Sequence, residues 1–177
     1  QQPDHLARQA ALKLIRELGD EQVAQAGAQH WDSLAADVQL AVLDARVKQG
    51  KTALPLVSTA LNSPYPAVRV AALEAAGCVG DAKLAAVLAE RAASGEEAQR
   101  AAARRSLTCL SGDGVDRAIL SLVGSSDSAI QVEAIDALRE RGASIDIVGR
   151  ALLDQARSST SQVRRAALKA VENLAGA

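Results

Sequence analysis

The residues able to do chemistry are few, and their spacing argues against most familiar kinds. The two histidines, His5 and His30, have no Cys or Glu at ligand spacing beside them. A zinc site needs three or four converging nitrogen, sulfur or oxygen donors. Both histidines therefore read as surface residues, and no metal or other cofactor is expected. Cys78 and Cys109 make neither a disulfide framework nor a zinc pattern, and they read as small core residues, the common fate of a free cysteine. Acid–base catalysis needs carboxylates in distinct environments within a closed pocket. Asp44, Glu74, Glu133, Asp136 and Glu172 instead fall mostly on helix positions that face solvent. No Ser-His-Asp set, nucleophile elbow or phosphate-cradling glycine loop is present. The chain is not expected to be an enzyme.

What remains is polar and repeated. Arg8, Gln39, Arg69, Gln99, Gln131 and Arg164 are each the second letter of a related octet: ARQAALKL (7–14), VQLAVLDA (38–45), VRVAALEA (68–75), AQRAAARR (98–105), IQVEAIDA (130–137) and VRRAALKA (163–170). Six copies at a period of about 30 residues mark a repeat architecture. On stacked units the second letters would form a ladder along one edge. The ladder reads either as a ligand-binding stripe or as a set of bonds that holds the stack. Nearest-neighbour interfaces set the stability of such arrays, which favours the second reading.

The elements that carry this ladder follow from composition. The 177 residues contain no Phe and no Met, one Trp and one Tyr, although 49% are hydrophobic. A core of Ala, Leu, Val and Ile favours helices that approach closely. Each octet runs on to a glycine-bearing break, LGD (18–20), QGK (49–51), VGD (79–81), SGDG (111–114) or RGA (141–143). Glycine there supplies the left-handed residue that ends a helix. A second apolar-periodic segment follows, such as Leu54, Val57 and Leu61, or Ile145, Val148 and Leu152. Small polar residues then lead into the next octet. Asp127 and Thr160 stand at N-cap positions, and Pro66 stands in a first turn. Each period is helix, glycine turn, helix, polar turn. Hairpins of this size bury their apolar faces by stacking. The expected fold is an all-α, right-handed α-solenoid of about five and a half hairpins in one domain. Its units start near 5, 36, 66, 96, 128 and 161, and the last is incomplete. Leu73 and Leu168, both sixth in their octets, are expected in the core.

PAVRVAALEAAGCVGD (66–81) and SQVRRAALKAVENLAG (161–176) resemble the short bacterial form of the HEAT repeat; the periods at 98 and 130 diverge more from it. The resemblance covers almost the whole chain. It implies a scaffold that binds a protein or peptide on the concave face of its second helices. The probable outward residues of that face are Thr59, Lys83, Glu90, Arg91, Asp116, Arg117, Arg150 and Asp154. Their mixed signs suit a protein partner. A passive spacer within a larger protein is the alternative, followed by a DNA glycosylase or lyase of HEAT-like build. A glycosylase would need aromatic residues and a basic groove that the sequence lacks. SLTCLSGDGVDRAILSLV with IDALRERGA is similar to arrays in large exported bacterial proteins, which implies an accessory segment of a periplasmic or secreted protein. The net charge of −1 argues against nucleic acid as a partner. No run approaches about 18 apolar residues, so membrane insertion is not expected, and the isolated domain is expected to be a monomer. Without Met, the chain reads as a piece of a longer one. Trp31, in the irregular stretch QHWDSLAAD (29–37), either packs a loop or stands exposed as an interface hot spot.

Overall fold

In four of the octets the second letter ties down the turn that precedes its helix. In the computed structural model, which describes residues 12–13 and 27–176, Gln39 is fully buried. Its amide nitrogen donates to the Trp31 carbonyl at 2.8 Å, and its amide oxygen accepts from the Ser63 hydroxyl at 2.8 Å. Arg69 donates to the carbonyls of Ser63 and Pro64 at 2.9 and 3.2 Å. Gln131 reaches back to Val123 at 3.1 Å, and Arg164 to Ser158 and Ser159 at 2.6 and 2.8 Å. Carbonyls in a tight turn have no helical partner of their own, and these long side chains supply one. Gln99 is also buried. Arg8, His5, the first octet apart from Leu12 and Lys13, and the LGD turn lie outside the described residues.

All regular structure among the described residues is helical, as composition and period predict. The chain divides into two compact units, 1–79 and 80–177. In the first, a 3-10 turn at Trp31–Ser33 precedes α1 (Ala36–Val47). A second 3-10 turn at Gly50–Ala53 runs into α2 (Leu54–Ala60), and α3 (Pro66–Val79) follows. Pro66 opens α3, where its missing N–H costs nothing. α3 packs against both α1 and α2. It buries Val68, Ala72, Leu73, Ala75, Ala76 and Val79, one wide stripe of a 3.6-residue period.

The second unit opens with a 3-10 turn at Ala82–Leu84, where the Asp81 carboxylate accepts from the Lys83 amide at 2.9 Å. Six helices follow: α4 (Ala85–Ser94), α5 (Glu97–Cys109), α6 (Val115–Leu122), α7 (Ser128–Glu140), α8 (Ile145–Gln155) and α9 (Ser161–Ala175). Asp127 caps α7, accepting from the Ala129 amide at 2.8 Å. The first helices pack in series, α5 on α7 and α7 on α9, and each second helix packs on the first helix that follows it: α4 on α5, α6 on α7, α8 on α9. Leu88, Leu107, Ile119, Ile135, Leu138 and Leu152 are buried at these seams, each worth about 1.5–3 kcal/mol of transfer free energy.

The glycine breaks split into two kinds. Gly142 has φ 65°. Its amide donates to Arg139 and the Ala143 amide to Leu138, the double bond that closes a helix through a left-handed residue. Gly80, expected to do the same for α3, has no positive φ; the Asp81-capped 3-10 turn takes the chain onward instead.

Three expected burials fail. Cys78 and Cys109 are exposed rather than in the core. Both lie at the ends of first helices, one position outside the buried stripe that ends at Val79 in α3 and at Leu107 and Leu110 near the end of α5. Leu168 is 57% exposed. The sixth octet position is buried at Leu43, Leu73, Ala103 and Ile135. No further helix packs on the far side of α9 among the described elements.

Candidate functional site

The second-helix candidates separate when placed. Thr59 of α2 is exposed, and its hydroxyl donates to the Pro55 carbonyl at 3.1 Å. Lys83, Glu90, Arg117, Arg150 and Asp154 are exposed on the second helices of the C-terminal unit or the turn leading into one. Arg91 is half-buried. Asp116 is held by an ion pair at 2.7 Å with Arg141. Trp31 is 4% exposed, so a partner reaches it only if its turn unfolds. His30 is exposed. Among the described residues no three His, Cys, Asp or Glu are grouped to hold a metal, and no helix is long and apolar enough to cross a membrane.

Three grooves are lined mostly by the first helices. In the N-terminal unit a groove of about 410 Å³ runs between α1 and α3, floored by Leu40, Leu43, Val47, Ala71 and Ala75 and edged by Asp44, Glu74 and Cys78. In the C-terminal unit two grooves adjoin. One of about 380 Å³ lies between α5 and α7, with Leu107, Val132 and Ala137 beneath Arg104, Glu133, Asp136 and Glu140. The other, about 470 Å³, shares Arg104, Val132, Glu133 and Asp136 and extends to Arg165 and Lys169 of α9.

Repeat spacing explains this surface. Arg104, Asp136 and Lys169 are each the seventh letter of an octet, so packing α5, α7 and α9 in series aligns them in a row of alternating sign. Arg104 Nε donates to both carboxylate oxygens of Glu133, at 2.8 and 3.1 Å, spanning α5 and α7. Glu133 is only 11% exposed, against the expectation that the acids are solvated. This bond raises the Arg104 pKa above its ordinary value, burial working in the opposite direction. Arg139 bridges Asp136 and Glu140 at 3.2 and 3.0 Å. The result is a pattern of both charge signs over an apolar floor.

The sequence reading passed over Arg141 altogether. It stands in the RGA turn, yet its Nη1 donates to the carbonyls of Thr108 and Leu110 at 2.7 Å and of Leu107 at 3.3 Å. Nε meets Asp116 at 2.7 Å. One side chain thus closes the C-terminal end of α5 and pins the first turn of α6. A basic residue beside a helix-ending glycine was the available signal.

No protein-family model matches the chain, and no curated protein matches it. Among the solved structures similar to it are the following two. One is the complex of CpcE and CpcF of phycocyanin lyase from Nostoc sp. PCC7120, at 18% identity over 85% of this chain and 99% of that one, with a TM-score of 0.48. The other is an engineered protein, at 19% identity over 95% of this chain and 90% of that one, with a TM-score of 0.45. The first corrects the expectation that the chain is not an enzyme. A chain to which this one is similar belongs to a lyase, and motif spacing detects only chemistry written as a known local pattern. That expectation is withdrawn. At these identities and TM-scores the likeness assigns the chain no family, substrate or partner.

Proposed function

We propose that the chain is a HEAT-like helical repeat that binds a protein or peptide, and that the adjoining first-helix grooves of the C-terminal unit form the binding surface. One observation carries the reading: α5, α7 and α9 hold Arg104, Glu133, Asp136, Glu140, Arg165 and Lys169 around apolar floors. Interfaces between proteins combine an apolar centre with a polar, charge-matched rim. The alternation of sign favours a partner carrying both charges over a polyanion. A passive spacer would need no such surface. The exposed second-helix residues Lys83, Arg117 and Arg150 form the competing surface.

The test is capture of partners from extract by the whole chain and by two variants. One is Asp136→Lys with Glu140→Lys; the other is Lys83→Glu, Arg117→Glu and Arg150→Glu. Loss in the first variant alone supports the groove. Loss in the second alone moves the site to the second helices, and capture of nothing by the native chain removes the binding reading.

A further inference from the structure

We propose that Asp113–Gly114 is a site of spontaneous backbone isomerisation, at which the aspartate closes to a cyclic imide and reopens as isoaspartate. It is the one Asp–Gly or Asn–Gly pair in the sequence, and it stands in the turn between α5 and α6. Arg141 holds this turn at its two ends, through the Leu110 carbonyl and the Asp116 carboxylate. Between those anchors Ser111, Gly112, Asp113 and Gly114 are all exposed. Gly112 and Gly114 have φ of 121° and 79°, and a Cβ on either would meet nothing within 4 Å. The reaction brings a side-chain carboxyl carbon onto the next amide nitrogen. Glycine in second place permits this, because no side chain crowds the nitrogen and its backbone turns freely. Among the described residues the Asp113 carboxylate is in no ion pair. The Gly114 amide donates no hydrogen bond, although its carbonyl accepts from Ala118.

The steps balance with water as the only co-reactant. The Gly114 nitrogen gives up its proton and bonds to Asp113 Cγ, while the hydroxyl of the protonated carboxyl takes that proton and leaves as water. A water then adds to the imide. Breaking the nitrogen's bond to Cγ restores aspartate. Breaking its bond to the backbone carbonyl carbon leaves the chain running through Cβ, with the free carboxylate on Cα. Nothing is oxidised or reduced, and the product keeps the mass of the starting chain. The pairs with serine in second place are held back by the fold. The Ser63 amide, after Asn62, donates to Ala60 at 3.1 Å, and Ser63 is buried. The Ser33 amide, after Asp32, donates to His30 at 3.0 Å. The Asp127 carboxylate, before Ser128, is occupied in capping α7. Each would have to give up a bond before reacting. Neither Asp113 nor Gly114 lines a groove, so the site stands apart from the proposed binding surface.

The test is to age the whole folded chain for several weeks at neutral pH and physiological temperature, then digest it with trypsin. Electron-transfer mass spectrometry of the fragment 106–117 distinguishes a chain that runs through Cβ from one that runs through Cα. Isoaspartate is expected at residue 113, ahead of residues 32, 62 and 127. Its rate of formation should lie within about tenfold of that in the free peptide 106–117, because an exposed turn opens at little cost. That factor corresponds to an opening free energy below about 1.4 kcal/mol. Asp113→Glu, at an exposed site, should abolish the signal from this turn and leave the circular dichroism unchanged, since glutamate would have to close a larger ring. Absence of isoaspartate at residue 113 overturns the proposal. So does accumulation at residue 32, 62 or 127 as fast as at 113, or a rate at 113 more than about tenfold below that of the peptide.

Discussion

Arg141 shows how much one side chain can hold in a repeat. Replacing it with Ala strips partners from three carbonyls near the end of α5 and frees Asp116. Lost bonds of this kind cost about 1–3 kcal/mol together, and the half-exposed ion pair itself contributes little of that. Arg141→Lys should recover only part of the loss, since an ammonium cannot fork between α5 and Asp116. Urea denaturation measures both; equal midpoints for the native chain and Arg141→Ala would contradict the clamp. A second comparison sets Leu73→Ala against Leu168→Ala. The first should cost about 2–5 kcal/mol, because Leu73 is buried. The second should cost less than about 0.5 kcal/mol. The two leucines hold the same octet letter, and the letter alone does not separate them. Burial is decided by what packs around each position, not by the letter it holds.

At the scale of elements, the octets located the first helices well: these begin at Ala36, Pro66, Glu97, Ser128 and Ser161. Ala-rich periodicity, proline in a first turn and aspartate at a cap are local signals, and local signals survive into the fold. The glycine breaks were legible as turns but not as turn types. Gly142 needs φ 65° with open space around a would-be Cβ, whereas Gly124, where a Cβ would meet only the Ser121 carbonyl oxygen at 3.8 Å, has no positive φ. Gly142→Ala should therefore cost about 1–2 kcal/mol through backbone strain. Gly124→Ala should be neutral or stabilise by about 0.4–1 kcal/mol through the unfolded chain. Thermal unfolding of the pair checks this, and equal losses would contradict the assignment. The grooves were not legible. Arg104, Glu133 and Asp136 come from two helices, and only their packing shows that Glu133 is shielded rather than solvated.

For the whole molecule, period and composition predicted an all-helical chain of stacked hairpins, and helices are what the described residues form. The division into units 1–79 and 80–177 leaves no mark in the sequence, because the period continues through it without a linker of Gly, Pro or Ser. Near-zero net charge likewise hides local order, since opposite charges that cancel in a sum are sorted into rows by the stacking of α5, α7 and α9. The central claim is that these rows, over their apolar floors, are what a protein partner reads. The measurement that tests it most directly is calorimetric titration of a captured partner into the native chain and the two charge-reversed variants. Asp136→Lys with Glu140→Lys should bind at least about tenfold more weakly, while Lys83→Glu, Arg117→Glu and Arg150→Glu should bind like the native chain. Native-like affinity in the groove variant, with the loss confined to the second-helix variant, would contradict the account.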